Sequence, residues 1–348
     1  MRIHLGHHFY GAGNLGDDFM LAGFLAAMRT LAPGARFTSC VPFPLEPLRG
    51  RFPEITWLGY EPDLRRQCIE ASDVWLGLGG SPFQSAHSRW FVDHLVAEAD
   101  LCARAGKPRF FLGVGVQDAA ELVVPDVRRL CASSAGIWTR DTASAERLLS
   151  LPSPPPVAAA ADLAHVFFEG RRPPAAADGR LTTVLNFDFG AWPGQDACLA
   201  TLRALPATDR VWLAQESREL PGAERALHAA LPAEEKVRWR LVAPDVPGTP
   251  LPAVLAAWPS GAWLVTARYH AALAGAWAGS RIVVIATNEK LRGAAHELGV
   301  PAVAPDATAA AFAQALISAE PLPLPHALAA QAREACAAFL RSAVAHRR

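Results

Sequence analysis

The sequence predicts an α/β protein made of two Rossmann-like domains that face each other across a cleft, with a long helix at the C-terminus. Two observations support this fold class. Short apolar runs of strand length alternate with amphipathic segments of helix length in both halves of the chain, which is the pattern of βαβ units on a parallel sheet. The chain also has 348 residues, which is more than usually fold around a single hydrophobic core, so two domains are expected.

The alternation divides the chain into a first domain at residues 1–160, a second at 161–325 and a helix at 326–348 that packs back. Proline-rich residues 151–164 favour extended polyproline geometry and are predicted as the linker. Strands of the first domain are predicted at 2–8, 36–41, 55–60, 74–79, 109–116 and 136–139. Strands of the second are predicted at 181–187, 211–215, 237–242, 262–266 and 281–287. Ligands of such sheets bind where the carboxyl ends of strands lead into helices.

The composition narrows the classes of function. Hydrophobic residues make up 51% and charged residues 19% of the chain, which indicates a folded protein and not a disordered one. Lys plus Arg and Asp plus Glu number 33 each, so no basic excess points to nucleic acid. An anionic ligand would therefore have to be bound by a local group of cations.

The cysteines and apolar runs predict the cellular compartment. Six dispersed cysteines without a C-x-x-C pair are typical of reduced, buried thiols. The apolar segment that a signal peptide would need does not follow Arg2, and no apolar run reaches the length of a membrane span. We therefore expect a cytoplasmic protein without an integral membrane segment, and its Ala- and Arg-rich composition suggests a bacterial source.

The stretch FYGAGNLGDDFML at residues 9–21 contains a literal G-x-G-x-x-G between a predicted strand and a predicted helix. This is the setting of a dinucleotide-binding loop, but the acidic residue expected about 20 residues later to hold the ribose is absent. Asp17 and Asp18 instead follow the last glycine, where they would repel a pyrophosphate at the helix N-terminus. We expect a tight turn in which Asn14 or Asp17 caps the helix, with Asp17 also available as a hydrogen-bond acceptor or base.

Three further loops follow strands of the first half. The loop LGLGGSPFQ offers Ser81 and Gln84 as polar contacts, FLGVGVQD offers Gln117, and IWTRDTAS places Arg140 at a strand terminus. Each glycine-bearing loop is also compatible with a plain tight turn, and Arg140 with a surface charge paired to Asp141. Because several such loops follow neighbouring strands, we favour a shared binding rim with Arg140 as a cation that points into the cleft.

The strongest local signal lies in the second half. Arg268 and His270 follow the predicted strand 262–266 at the start of a small-residue helix, and Lys290 follows the next strand. The helix dipole disfavours cations at a helix N-terminus unless an anion lies between them and the backbone N–H groups. The three side chains therefore predict a pocket for a phosphate or a carboxylate. The alternative for His270 is a histidine that caps the helix or belongs to the core.

Four motifs together resemble the polysaccharide pyruvyl transferase family. YGAGNLGDD is similar to its Gly-Asn-x-Gly-Asp element, and GLGGSPFQ is similar to its glycine-rich loop after the fourth strand. TRDTAS is similar to its Arg-Asp-x-x-Ser element, and ARYHAALAGAWAGSRIVVIATNEKLRGAAHELG to its Arg-x-His helix start with a later lysine. Order and spacing agree over about residues 3–300. The resemblance implies a GT-B-like fold, with the acceptor on the first domain and the anionic donor on the second.

The resemblance also implies an activity. A family member transfers a pyruvyl group from phosphoenolpyruvate onto two hydroxyls of a sugar as a cyclic ketal and releases phosphate, in the biosynthesis of cell-surface glycans or related glycosides. Donor binding would then fall to Arg268, Arg140 and Lys290. The implied partners are phosphoenolpyruvate, as a co-substrate, and a sugar or glycan acceptor, with no other cofactor, no metal and no nucleic acid.

The chemistry of this reaction suits the residue types. Protonation of the enol carbon requires a general acid near neutral pKa, for which His270 is the natural candidate; binding of the phosphate is its other possible role. Asp17 is the candidate base for the attacking hydroxyl. The remaining acceptor contacts are expected from Asn14, Gly16, His8, Ser81, Gln84 and Gln117.

Two features depart from the family pattern. Ser81-Pro82 stands where the family often continues with glycine, and His7-His8 is not a general feature of the family. Adjacent histidines on a strand point to opposite faces, so they are not expected to bind one metal ion.

Two other functions remain open on the sequence. The first is a GT-B glycosyltransferase with a nucleotide-sugar donor, which usually needs a ribose-binding acid about one helix after the phosphate loop. The second is a non-catalytic protein that binds a sugar or phosphate without turnover. Phosphate release from phosphoenolpyruvate, hydrolysis of a nucleotide-sugar, and binding alone distinguish the three.

Overall fold

A computed structural model describes residues 1–6, 9–85, 89–173, 177–187, 192–218 and 220–346 of the protein. His7 and His8, and with His8 one expected acceptor contact, lie outside the described residues. The chain divides into two units. The first comprises Met1–Ala12, Asp17–Glu169 and His326–Arg348, and the second comprises Gly13–Gly16 and Gly170–Pro325.

The described part of the first unit contains a seven-stranded sheet. In chain order its strands are β1 (Arg2–Leu5), β2 (Arg36–Cys40), β3 (Ile55–Leu58), β4 (Val74–Leu78), β5 (Arg109–Val114), β6 (Gly136–Thr139) and β7 (Val157–Ala159). They pair in the order β3-β2-β1-β4-β5-β6-β7, and every pairing is parallel. The order reverses between β1 and β4, and crevices at such a reversal are where parallel sheets bind ligands.

Helices connect these strands. They are α1 (Leu15–Leu31), α2 (Leu45–Arg51), α3 (Pro62–Ala71), α4 (Arg89–Arg104), α5 (Pro125–Ala132), α6 (Thr142–Leu149), α7 (Ala164–Phe168) and a 3₁₀ helix at Ala119–Val123. Proline opens α3 and α5, at the helix position where a missing N–H costs no hydrogen bond. The C-terminal helix, which becomes α15 (His326–Ala345) after those of the second unit, also belongs to the first unit.

The second unit contains a six-stranded sheet among its described residues. Its strands are β8 (Ala177–Val184), β9 (Asp209–Leu213), β10 (Arg240–Val242), β11 (Gly261–Thr266), β12 (Arg281–Ile285) and β13 (Ala302–Val303), in the order β10-β9-β8-β11-β12-β13. Its helices are α8 (Gln195–Ala204), α9 (Glu224–Ala230), α10 (Ala233–Lys236), α11 (Leu251–Ala256), α12 (Tyr269–Trp277), α13 (Glu289–Leu298) and α14 (Ala309–Ser318). All the strand pairings are again parallel, and the order reverses between β8 and β11.

Apolar packing holds the C-terminal helix against the first sheet. The Phe339 ring of α15 lies edge-on to Phe110 of β5, with ring centroids 5.4 Å apart. It also contacts Trp138 of β6 at 6.3 Å. An ion pair between Arg333 and Glu169 lies at the same helix. The burial of Phe339 on two strands explains why a helix at the end of the sequence folds with the beginning of the chain.

The fold class, with its two parallel sheets and C-terminal helix, is confirmed, but some local predictions were wrong. The proline-rich residues 151–164 do not serve only as a linker, because they include β7, which pairs with β6. The prolines end at Pro156, immediately before β7, so they remove no N–H group from its pairing, and β7 is an edge strand of the described sheet. The two-residue strand β13 was not predicted, because two residues are too short for alternation to be visible.

Candidate active site

The segment Gly13–Gly16 is bound by the loop that follows β9. The Leu15 amide donates a hydrogen bond to the Gln215 carbonyl oxygen at 3.3 Å. The Gln215 side-chain amide donates to Asn14 Oδ1 at 3.4 Å, and Asn14 forms an antiparallel bridge with Glu216. These backbone and side-chain bonds explain why four residues from the start of the chain belong to the second unit.

Gly13 is required at the start of this segment. Its φ is +104°, a backbone conformation that residues with a Cβ rarely adopt. A Cβ on Gly13 would lie 2.2 Å from Ser217 Oγ, and the Ser217 amide donates to the Gly13 carbonyl oxygen at 2.7 Å. The glycine therefore permits close approach of two protein segments, without any need for a nucleotide.

Asn14 caps α1. Its Oδ1 accepts a hydrogen bond from the Gly16 amide at 3.0 Å, two residues along the chain, which is the usual contact of an N-cap side chain. The expectation that Asn14 or Asp17 caps this helix is thus confirmed for Asn14. Asp17 lies in the first turn of α1 and is half-buried.

Asp18 has a structural role that explains the failed match to a dinucleotide loop. Its Oδ1 accepts from the Gly11 amide at 2.6 Å, and its carboxylate forms a fully buried ion pair with Arg51. The loop amide of Gly11 is therefore satisfied by an internal anion, in the place where a bound pyrophosphate would need a donor. Burial raises the pKa of Tyr10 well above its usual value, and the negative charge of the neighbouring Asp17 adds to that rise.

His270 packs directly on the segment Gly13–Gly16. A Cβ on Gly16 would lie 2.1 Å from His270 Nδ1, so only glycine leaves room for the imidazole. His270 is the second residue of α12 and is buried. The Tyr269 ring lies edge-on to it, with centroids 5.1 Å apart. The structure thus brings together two predicted site residues, Gly16 and His270, that are far apart in the sequence.

Arg268 is the N-cap residue of α12 and is paired with Glu224, the first residue of α9. Arg268 Nε donates to Glu224 Oε1 at 2.7 Å, and Nη2 donates to Oε2 at 3.4 Å. The Glu224 side chain is fully buried, whereas the Arg268 side chain is 18% exposed. We expected an external anion beside this cation, but the structure supplies a carboxylate of the protein itself.

Lys290 lies beside the same helix start. It is the second residue of α13, and its Nζ lies 5.5 Å from the centroid of the Tyr269 ring, within the range of a cation–π contact. The Tyr269 hydroxyl donates to Glu297 Oε1 at 3.3 Å. Tyr269 is therefore in contact with both His270 and Lys290. That the two residues serve one binding site stays a prediction.

In the first unit, Arg140 meets the loops that follow β4 and β5. Arg140 Nη1 donates to the Gly80 carbonyl oxygen and Nη2 donates to Ser81 Oγ, both at 3.3 Å. A Cβ on Gly115 would lie 2.2 Å from Arg140 Nη2, so this glycine gives the guanidinium its space. The Arg140 side chain is only 2% exposed. The interpretation of Arg140 as a surface charge was therefore wrong.

The polar residues around Arg140 form one group. Gln117 Nε2 donates to Ser81 Oγ at 3.1 Å, and half-buried Gln84 lies three residues further along the same loop. Asp141 Oδ2 lies 3.5 Å from Arg140 Nε, while Asp141 Oδ1 caps α6 by accepting from the Ser144 amide at 2.6 Å. The carboxyl ends of β4, β5 and β6 thus place Ser81, Gln117 and Arg140 together. That this group forms a binding rim stays a prediction.

A second polar group of the first unit was not predicted. Trp75 Nε1 donates to Glu98 Oε2 at 2.8 Å, and His94 Nε2 lies 3.5 Å from Glu98 Oε1. His94 also contacts the Tyr60 hydroxyl, to which Arg65 Nη1 donates at 3.2 Å. Burial raises the pKa of Glu98 to about 8, although the bond from Trp75 opposes the rise. Neutral Glu98 is therefore favoured near pH 7.

Sequence reasoning missed the acidic and amide residues that support the site. Glu224 lies 44 positions before Arg268 and was visible only as the start of a helix. Gln215 and Glu216 follow β9, and Glu216 Oε1 accepts from Arg218 Nε at 2.8 Å. Polar residues at the carboxyl end of β9 were the available signal, but nothing local indicates that they bind a segment near residue 14.

Other features of the described residues bear on ligand class and membrane association. No group of three or more His, Cys, Asp or Glu side chains within residues 1–346, less the undescribed gaps, is arranged to hold a metal ion. In the same part of the chain, no helix combines the length and the apolar character needed to cross a membrane.

Comparisons with solved structures show the fold. UDP-GlcNAc 2-epimerase from Neisseria meningitidis, bound to UDP-GlcNAc, superimposes with a TM-score of 0.64 at 11% identity, covering 99% of this chain and 100% of that one. The same enzyme from Methanocaldococcus jannaschii gives 0.60 at 9% identity, covering 98% of each chain. Sucrose-phosphate synthase from Thermosynechococcus elongatus gives 0.55 at 11% identity, covering 99% and 96%. At these identities the likeness establishes a GT-B-like fold and nothing about the reaction.

Sequence comparison shows the family. No curated protein sequence matches the chain significantly. The sequence model of the polysaccharide pyruvyl transferase family matches residues 14–212, more than half of the chain. The match begins at Asn14 and includes Ser81, Gln117 and Arg140, whereas Arg268, His270 and Lys290 follow it. With the glycine-bearing strand ends and the helix start at His270 in place, the chain belongs to the polysaccharide pyruvyl transferase family.

Proposed function

We propose that this protein transfers a pyruvyl group from phosphoenolpyruvate onto two hydroxyls of a sugar, as a cyclic ketal, with release of phosphate. The observation that carries the proposal is the placement of His270. In a chain of this family, the imidazole lies in the first turn of α12, against Gly16 of the Gly-Asn-x-Gly-Asp motif. Arg268 precedes this turn in the chain, and Lys290 contacts the ring of Tyr269, which lies between Arg268 and the histidine. The two sequence elements expected to bind acceptor and donor therefore meet at one side chain.

The cations suit the proposed donor. Phosphoenolpyruvate carries about three negative charges, which arginine can bind through two parallel N–H groups and lysine as a point charge. In the second unit, Arg268, Lys290 and the N-terminus of α12 supply such charge. Arg140 of the first unit stays a proposed donor contact, and its described contacts include the neutral oxygens of Gly80 and Ser81.

Two residues are proposed for proton transfer. His270 gives a proton to C3 of phosphoenolpyruvate, so that C3 becomes a methyl group and C2 becomes electrophilic. The first sugar hydroxyl attacks C2 and loses its proton to Asp17. The second hydroxyl attacks as the bond from C2 to the phosphate oxygen breaks, and its proton leaves with phosphate. Two C–O bonds form and one breaks, and no oxidant or reductant is needed.

The acceptor is proposed to be a neutral sugar held by amide and hydroxyl groups. Gln117 and Ser81 are bonded to each other, and Gln84 lies in the same loop. Asn14 and Gly16 are proposed to contribute mainly through structure, because the Asn14 side chain already caps α1 and Gly16 makes room for His270. His8 stays a proposed acceptor contact.

The test combines phosphoenolpyruvate with a panel of glycosides, and follows phosphate release together with a mass gain of one pyruvic acid less one water. Wild-type protein should show both with at least one glycoside. His270→Asn should lower kcat by about 10²–10⁴-fold, the usual loss of a general acid. His296→Asn is the matched control, because His296 is an exposed histidine of α13 in the same unit, and it should behave as wild type.

A nucleotide-sugar glycosyltransferase is the outcome that would replace this proposal. The solved epimerase of the same fold from Neisseria meningitidis holds UDP-GlcNAc. Glu297 of α13 is the candidate for a ribose-binding acid, but its carboxylate accepts from Tyr269. Hydrolysis or transfer of a nucleotide-sugar, with no phosphate release from phosphoenolpyruvate by any glycoside, would favour the glycosyltransferase.

A further inference from the structure

Glu224 is a buried carboxylate that neither the sequence motifs nor the proposed chemistry uses. We propose that Glu224 is a positioning residue, which holds the guanidinium of Arg268 in the orientation that receives the anionic donor. This inference rests on the proposed function for the identity of the donor. It extends that function by assigning a residue that acts on the donor only through Arg268.

The geometry of the pair supports positioning. Glu224 Oε1 and Oε2 accept from Nε and Nη2 of Arg268 at 2.7 and 3.4 Å. Two contacts along one edge of the planar guanidinium restrict its rotation about the side-chain axis, which a single contact would not do. The orientation of Arg268 is therefore set by the protein before any ligand arrives.

Both partners are anchored to the second sheet. The Glu224 carbonyl oxygen accepts from Trp212 Nε1 of β9 at 2.8 Å. The Arg268 amide donates to Thr266 Oγ1 at 2.9 Å, and Thr266 Oγ1 donates to the Val184 carbonyl oxygen at the same distance. The ion pair is thus tied to β8, β9 and β11, so it forms part of the rigid scaffold and not of a mobile loop.

The difference in exposure tells which partner faces a ligand. The Glu224 side chain is 0% exposed and the Arg268 side chain is 18% exposed. A fully buried carboxylate must be paired to remain charged, and the described partner of the Glu224 carboxylate is Arg268. The Arg268 side chain keeps an accessible portion, so of the two partners the arginine is the one open to a ligand.

The pair also affects the charge that the donor meets. Glu224 neutralises Arg268 in net terms, so the attraction of a trianionic donor depends more on Lys290 and on the N-terminus of α12. The contribution of Arg268 is therefore mainly geometric, because its guanidinium is held in a fixed orientation toward a carboxylate or phosphate oxygen of the donor. Loss of Glu224 should therefore weaken donor binding although it removes a negative charge from the site.

The first experiment measures steady-state kinetics of Glu224→Gln with varied phosphoenolpyruvate. Gln keeps the shape and one acceptor oxygen but loses the charge. KM for phosphoenolpyruvate should rise about tenfold, with kcat changed less than about threefold, as when an interaction made in both ground and transition states is lost. An unchanged KM would overturn the inference, and a lower KM would show instead that Glu224 competes with the donor for Arg268.

The matched control is Glu235→Gln. Glu235 is also a buried glutamate of the second unit, with Oε1 3.1 Å from Arg203 Nε on another helix. This variant removes a comparable buried charge and should lower the melting temperature without a change in KM. A KM rise of equal size in Glu235→Gln would show that general loss of stability, and not the position of Arg268, explains the effect.

A second measurement is independent of substrate. In ¹⁵N-labelled protein, the Nε–H resonance of Arg268, assigned by its loss in Arg268→Lys, should exchange slowly with solvent in the wild type and rapidly in Glu224→Ala. Slow exchange retained in Glu224→Ala would overturn the inference. Failure of the proposed function is recognised separately, because it would appear as absence of phosphate release in the wild type while the Nε–H result stands by itself.

Discussion

Two arginines follow strands of two Rossmann-like units in this protein, and the protein holds them in different ways. Arg268, after β11, is paired through two contacts with the fully buried carboxylate of Glu224. Arg140, after β6, lies over Gly115 and donates to the oxygens of Gly80 and Ser81, with Asp141 at 3.5 Å. Arg268 is thus held by an ion pair with a buried carboxylate, whereas Arg140 is held mainly by packing against Gly115 and by bonds to neutral oxygens.

This difference shows how a fold can place the same side chain at the carboxyl ends of two parallel strands with different energetics. A buried ion pair is strongly coupled, because removal of one partner leaves the other charge without compensation. The described partners of Arg140 are neutral oxygens and the Asp141 carboxylate, which is 31% exposed and can be hydrated, so they should cost less to leave behind. The two sites should therefore respond differently to the same substitution.

The largest expected effect is on stability and comes from truncation of the two arginines. Arg268→Ala leaves the Glu224 carboxylate buried and unpaired, and should lower the free energy of unfolding by about 3–5 kcal/mol. Arg140→Ala removes contacts whose described partners are a carbonyl, a hydroxyl and the partly exposed Asp141 carboxylate, and should cost about 1–2 kcal/mol. Urea unfolding followed by circular dichroism measures both values.

The double variant Arg268→Ala/Glu224→Gln sharpens this comparison. The glutamine side chain at position 224 would carry no charge, so the double variant leaves no unpaired carboxylate in the interior. It should therefore recover part of the stability lost in Arg268→Ala. If Arg140→Ala proved as destabilising as Arg268→Ala, the distinction between charge and shape would be wrong.

The next effect concerns the two glycines that make room for functional side chains. A Cβ on Gly16 would meet the His270 ring at 2.1 Å, and a Cβ on Gly115 would meet the Arg140 guanidinium at 2.2 Å. The imidazole is short and buried in the first turn of a helix, so it can move aside only with α12, whereas a guanidinium is the end of a flexible chain. Gly16→Ala should therefore lower kcat/KM about 100-fold and Gly115→Ala about tenfold.

Gly293 provides the control for both alanine variants. It lies in α13, and a Cβ there would meet nothing within 4 Å. Gly293→Ala should keep full activity and add up to about 1 kcal/mol of stability, because alanine favours the helix. Equal losses of activity in Gly16→Ala and Gly115→Ala would contradict the argument from side-chain flexibility.

The smallest effect is a pH dependence confined to the first unit. The pKa of Glu98 is raised by burial from 4.5 to about 8. A carboxyl whose pKa is higher in the folded state contributes stability below the unfolded pKa and loses it as pH rises through the folded pKa. Between pH 5 and pH 9 the wild type should therefore lose stability relative to Glu98→Gln, which keeps an acceptor for Trp75 and does not titrate.

Thermal unfolding of both proteins over that pH range measures the difference. Glu235→Gln serves as the comparison, because it removes another buried glutamate, in the second unit. A wild-type curve parallel to that of Glu98→Gln from pH 5 to pH 9 would show that Glu98 titrates at its ordinary pKa.

Much of the architecture could be predicted because its signals are local. Alternation of apolar strands with amphipathic helices needs only neighbouring residues to be visible, and most predicted strands agree with observed ones within a few residues. The glycines after β1, β4 and β5 and the Arg-x-His after β11 could be placed at carboxyl ends for the same reason. The proline-rich stretch misled the prediction of β7, because proline reports backbone preference and not whether an edge partner is nearby.

The support of the site could not be predicted, because it depends on pairs that are distant in sequence. The Gln215 side chain and Asn14 are 201 positions apart, and Glu224 and Arg268 are 44 positions apart. Nothing in the residues around Glu224 shows that its carboxylate will be buried beside a guanidinium.

The sequence alone therefore determined the fold class, the family and which residue types stand at the strand ends, since periodicity, glycine content and motif order are properties of a linear chain. Only the tertiary structure decided what each of those residues contacts. It showed that the Asp18 carboxylate binds the Gly11 amide and pairs with Arg51. It also showed that the segment Gly13–Gly16 belongs to the second unit, and that the anion beside Arg268 is Glu224. The physical reason is that ion pairs and close packing depend on distance in space, which the strand order sets and residue spacing does not.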